Sequence, residues 1–260
     1  MTPIFTFFII AIVVGFVTAG LKIQFDRFFA IILLMFLMGL SAFSAVNVFL
    51  WIMLFSSGYV LWDNRIKIKS MPAANKKKIV TIVPLLAFTG ALIGSIAFFV
   101  IDVKVLTITI GVLALLYGLR LVLVHFKPNE LDYKTPKQIY QKICGLAGPV
   151  VSGFFVGLVG TSLKPLKIPF AIKIGRMNLN QVYLGNTITA FYASLFAIIL
   201  HSLFLGQNVM TYGYALLGVG LWLAIHGVYK LTSLFFKNTW RKPFQIIVGA
   251  ILIIVSLRLI

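Results

Sequence analysis

The chain has 260 residues, 61% of them hydrophobic and only 11% charged, with a mean hydropathy of +1.06. A soluble domain needs about a quarter of its residues charged to cover its surface, so water is excluded as the solvent for most of this chain. The balance of 23 basic against 5 acidic residues fits membrane-flanking loops and anionic headgroups; nucleic acid is excluded as a partner, since no soluble basic domain exists to carry it.

The apolar runs are long and continuous, which excludes the alternating segments of about ten residues of a membrane barrel. Helices are then required, because lipid offers the backbone no hydrogen-bond partner. The first run is 3–20, with no basic stretch before it, and reads as a span and not a cleaved leader. Next comes 28–62, too long for one crossing of about 20 residues. It is expected to turn near 39–44 into a short segment and a full helix. The runs 79–101 and 105–126 follow, then a polar linker, KPNELDYKTPKQIYQK at 127–142. Beyond it lie 143–161, a broken stretch 163–177, and the runs 182–205, 210–231 and 244–259. This predicts an all-α polytopic membrane protein with about 8 full transmembrane helices plus two short broken or re-entrant segments. Its expected domains are an N-terminal membrane repeat 1–126, a cytoplasmic linker 127–142 and a C-terminal membrane repeat 143–260.

Loop charge assigns the sides. Residues 63–78 carry six cations and one anion, 230–242 carry four cations, and the linker carries four against two. These three are expected in the cytoplasm, and the uncharged-on-balance links 102–104 and 206–208 outside. The helix ending at Trp62 must then run inward and 182–205 outward, so equivalent halves would be inverted, with both chain ends outside. Two nearly identical pentapeptides support that equivalence: LKIQF at 21–25 and LKIPF at 166–170, each after a glycine-containing apolar segment.

Inverted repeats with broken helices are the signature of secondary transporters, whose site lies near the bilayer midplane. The stretch GLVGTSLKPLKIPFAIKIG (157–175) fits such a break. Pro165 and Pro169 remove donors and disfavour helix before them, while Thr161 and Ser162 offer hydroxyls. A charge at membrane depth costs about 2.5–3.5 kcal/mol on insertion scales, so Lys22 and Lys167, with Lys164 beside Pro165, point to a compensating small anion. Snorkelling anchors are the alternative for these lysines. Asn47 and Asn186 stand in apolar helices, with Ser41 and Ser44 before the first and Thr187 and Thr189 after the second. They suit either bonds to a substrate oxygen or structural capping and interhelical bonds. Arg120 reads as an interface anchor, and His201 and His226 as structural. The acids Asp26, Asp63, Asp102, Glu130 and Asp132 fall at segment ends or in loops, which disfavours a buried-carboxylate proton mechanism. The single cysteine, Cys144, excludes an intramolecular disulfide and offers no metal cluster.

In layout the chain resembles the TauE/SafE family of bacterial membrane transporters. The likeness rests on Gly153, Gly157 and Gly160 with Thr161 and Ser162 at the break, Ile168-Pro169-Phe170 after it, and Leu184-Gly185-Asn186-Thr187 in the next helix. In the first half Gly15 and Gly20 stand for the break, and Gln24 takes the proline position. The resemblance implies two related halves and export of sulfite or organosulfonate. The expected function is a secondary transporter moving a small anion such as these across the cytoplasmic membrane by alternating access. Lys22, Lys164 and Lys167 would supply charge, and Asn47, Thr161, Ser162, Asn186 and Thr187 hydrogen bonds. The alternative is a lipid-handling translocase for an anionic lipid such as polyprenyl phosphate. No enzyme activity, cofactor or metal is expected; coupling to H+ or Na+ and homo-oligomer formation are left open.

Overall fold

A computed structural model describes residues 3–21, 28–70, 78–123, 138–164, 167, 179–205, 208–236 and 238–260. Among them there is helix and no strand. In chain order the helices are α1 (Pro3–Leu21), α2 (Phe29–Met38), α3 (Ala42–Asp63), the short α4 (Arg65–Lys69), a π-turn (Lys78–Ile82) leading into α5 (Val83–Val100), α6 (Val103–Leu123), α7 (Gln138–Val159), α8 (Leu179–Leu205), α9 (Asn208–Ser233) and α10 (Asn238–Leu257). Seven of these helices are long and apolar enough to cross a bilayer. The protein is therefore a multi-pass helical membrane protein. In α7 the described apolar part is the shorter Gly145–Val159.

The run 28–62 turns where expected. Gly39 takes φ +66, a conformation that favours glycine, and its N–H caps the Leu34 carbonyl. Leu40 N–H reaches the same oxygen at 3.3 Å. Ser41 then starts α3, its Oγ accepting from Ser44 N–H at 3.3 Å. Two starts fall earlier than the apolar runs imply: α7 takes 138–142 from the expected linker, and α10 begins before Pro243. The remainder of the linker, 124–137, lies outside the described residues.

The chain divides into two units that each draw on both halves of the sequence. One comprises Met1–Phe49, Ile101–Glu130 and Tyr212–Ile260. Small residues set its packing: a Cβ at Gly118 would meet Gly249 O at 2.7 Å, and one at Gly249 would meet Gly118 O at 2.9 Å. These two glycines let α6 and α10 touch backbone to backbone. Gly15 and Gly20 do not mark a break, for α1 runs through both. They make room for Val228 of α9 and the Phe244 ring of α10.

The second unit comprises Leu50–Val100 and Leu131–Thr211. Its centre is the pairing of α5 with α7, where GALIG (90–94) faces GFFVG (153–157). A Cβ on Gly90 or Gly94 would overlap the carbonyls of Val150 or Phe154, and one on Gly153 or Gly157 those of Ala87 or Ala91. Lipid is as apolar as leucine, so close van der Waals approach of this kind, and not apolar burial, holds such helices together.

Candidate functional site

The tight α5–α7 pairing delivers the chain to a break at the end of α7. Gly160 closes α7 at φ +75, with its N–H on Val156 O at 2.9 Å. Residues 161–163 are irregular, and Leu163 holds φ +53. For a γ-branched side chain that backbone costs about 1–2 kcal/mol, and such strain persists only where the surroundings over-determine it. Helical bonding resumes with Lys167 N–H on Leu163 O at 2.9 Å. The expected break is present, one residue after α7 ends; its continuation through 168–178, including the rest of LKIPF, lies outside the described residues.

The polar side chains of the break are inside the protein. Thr161 and Ser162 are fully buried, and Lys164 is only 6% exposed. Lys167 is half-buried and reaches back to α7. Its ammonium donates to Gly148 O at 3.3 Å and to Ser152 Oγ. Ser152 in turn donates to Ser162 O at 3.0 Å. A chain of donors thus runs from Lys167 through Ser152 to the irregular backbone, tying the strained segment onto the helix that precedes it. Ser152 was not among the residues singled out from sequence. Its signal there is only that it is a hydroxyl one residue before the glycine pair of α7.

The other predicted site residues divide by unit. Asn186 and Thr187 lie in the same unit as the break, buried on α8 several residues past its start. Thr187 Oγ1 donates to Tyr183 O at 2.9 Å, and Thr189 Oγ1 to Gly185 O at 2.8 Å, both within their own helix. Asn47 lies in the first unit, buried inside α3, where its Nδ2 donates to Phe43 O at 2.9 Å. Ser44, in that same unit, shares a 3.1 Å hydrogen bond with Tyr214. Lys22 and the rest of LKIQF after Leu21 lie outside the described residues, so the expected pairing of Lys22 with Lys167 does too.

Two side chains differ from their sequence reading. Arg120 is 8% exposed on α6, a buried cation of the first unit and no interfacial anchor. His201 is buried and does pack as a structural residue: it stacks on Phe98 with centroids 4.2 Å apart and meets Phe99 edge-on. Its Nε2 bonds Gly157 O at 2.9 Å, and a carbonyl can only accept, so that nitrogen carries the proton. The described carboxylates, Asp63 and Asp102, are exposed. Among the described residues no group of His, Cys, Asp and Glu is placed to hold a metal. The arrangement therefore favours negative guests: cations, hydroxyls and irregular backbone with no buried described carboxylate. Comparison with models of known protein families, with curated proteins and with solved structures finds no match.

Proposed function

We propose that the protein is a secondary transporter that moves a small anion across the cell membrane, with the Gly160–Thr161–Ser162–Leu163–Lys164 break as part of its binding site. The observation that carries this reading is Lys164, an ammonium buried beside two buried hydroxyls at an interrupted helix. An ammonium at membrane depth costs about 2.5–3.5 kcal/mol to insert, and ionisable residues inside membranes mark ion and substrate pathways. Interrupted helices are where transporters place such sites.

The finer reading has the chain as two inverted repeats of eight crossings, counting α7. The site alternates access between the two sides, and Asn186 and Thr187 contribute hydrogen bonds from α8. Sulfite and organosulfonates are the leading substrates, on the strength of the resemblance to the TauE/SafE layout. Coupling is to H+ or Na+.

The test is flux in proteoliposomes loaded with sulfite, short sulfonates, phosphate or carboxylates. The reading predicts saturable movement of at least one of these that depends on the protein. Movement of none, with transfer of a labelled polyprenyl phosphate between leaflets instead, would replace it with a lipid translocase.

A further inference from the structure

Beyond the transport site, the corner between α3 and α4 combines an interfacial indole with a short cationic helix. The helical bonding of α3 carries through the turn: Asn64 N–H donates to Val60 O and Ile68 N–H to Asn64 O, each at 3.1 Å. α4 therefore prolongs α3 just past the end of the span Ala42–Asp63. Trp62 is 68% exposed at that end and Ile66 72% exposed one turn on, while Arg65, Lys67 and Lys69 are all exposed.

Trp62 and Arg65 are held together. The Arg65 guanidinium lies over the indole, 4.7 Å from the ring centroid, and its Nη1 donates to Trp62 O at 3.0 Å. Tryptophan settles at headgroup level, so this stack fixes a guanidinium at the depth of the lipid phosphates. One amino group is engaged with the Trp62 carbonyl, and the opposite edge of the planar fork suits the paired oxygens of a phosphodiester. Lys69 follows Arg65 by four residues and shares its face. Over residues 62–69 the charge is three cations less Asp63, or +2. A zwitterionic headgroup brings its own cation to such a site, whereas an anionic one does not.

We propose that Trp62, Arg65, Lys67 and Lys69 form a binding site for the headgroup of an anionic phospholipid, with Ile66 resting against the upper acyl chain. The site holds lipid from the surrounding bilayer and is separate from the break that ends α7.

The test uses the full chain in liposomes of phosphatidylcholine and phosphatidylglycerol, with one or the other lipid brominated to quench nearby tryptophans. Subtracting the signal of Trp62→Phe isolates Trp62. At equal bulk fractions, brominated phosphatidylglycerol is expected to quench Trp62 several-fold more effectively than brominated phosphatidylcholine. The preference should fall by about fivefold for each cation removed in the series Arg65→Gln, Lys67→Gln and Lys69→Gln, and stay unchanged in Lys230→Gln. Soluble glycerol phosphate should leave it unchanged. Equal quenching of the wild-type protein by both lipids overturns the proposal, and so does displacement by soluble glycerol phosphate, which would make the site one for free phosphate esters. These readouts need no transport, so they stand or fall apart from the proposed anion flux.

Discussion

Ser152 serves two partners at once, accepting from Lys167 and donating to Ser162 O. Ser152→Ala leaves an ammonium and a buried carbonyl each short of one bond, which costs about 1–3 kcal/mol. The expected result is a measurable loss of thermal stability in detergent, with Ser152→Thr retaining most of it. Leu163 poses a contest between two terms. Glycine in its place relieves about 1–2 kcal/mol of backbone strain, but emptying a buried leucine site costs about 2–5 kcal/mol. Leu163→Gly is therefore predicted to destabilise on balance, and a stability gain in an unfolding titration would show that the side chain is poorly packed. At His201 the two roles separate by substitution. Phenylalanine keeps the stack on Phe98 and gives up only the bond to Gly157 O, about 1 kcal/mol or less in a membrane. Alanine also opens a cavity, and should cost several times as much in the same titration. Of these residues, Lys164, Thr161 and Ser162 were legible in the sequence, because a charge and hydroxyls between glycine and proline in an apolar run have few explanations. Ser152 was not. Its partners are ten and fifteen residues away, and only the backward turn of the break brings them to it.

The elements themselves were legible to within a few residues, because lipid forces every apolar run of sufficient length into helix. The turn at Gly39 and the break at Gly160 were placed correctly for a local reason: glycine accepts a positive φ that other residues resist. Gly15 and Gly20 illustrate the other use of the same residue. Their spacing looked like a break, yet both sit in continuous helix with Val228 and Phe244 filling the space that a side chain would need. Nothing local distinguishes the two uses, since the partner helix arrives from more than two hundred positions away. The α5–α7 pairing gives the sharpest test at this scale. Gly94→Ala or Gly153→Ala pushes a Cβ into a backbone carbonyl of the facing helix, which cannot yield as a flexible side chain would. Each should destabilise by about 1–3 kcal/mol. Gly213→Ala meets nothing within 4 Å and should be neutral or slightly stabilising. Equal effects at all three positions would show that close helix approach is not what holds the second unit together.

At the scale of the whole molecule, each unit buries one described cation, Arg120 in the first and Lys164 in the second, while the described carboxylates stay at the surface. Composition alone announced a membrane protein. It could not announce which of 23 basic residues are inside, because cationic side chains near helix ends snorkel outward by default and only tertiary packing decides the exceptions. Lys164 is that exception in the break, and the transport reading depends on its holding an anion. Ligand-induced stabilisation of the purified protein measures this directly. An anion supplied at a hundred times its dissociation constant should stabilise the wild-type protein by about 2.7 kcal/mol. Lys164→Arg should keep much of that gain, and Lys164→Met should lose it while remaining folded. A shift in Lys164→Met equal to that of the wild-type protein, or no shift with any oxyanion across the panel, would contradict the account.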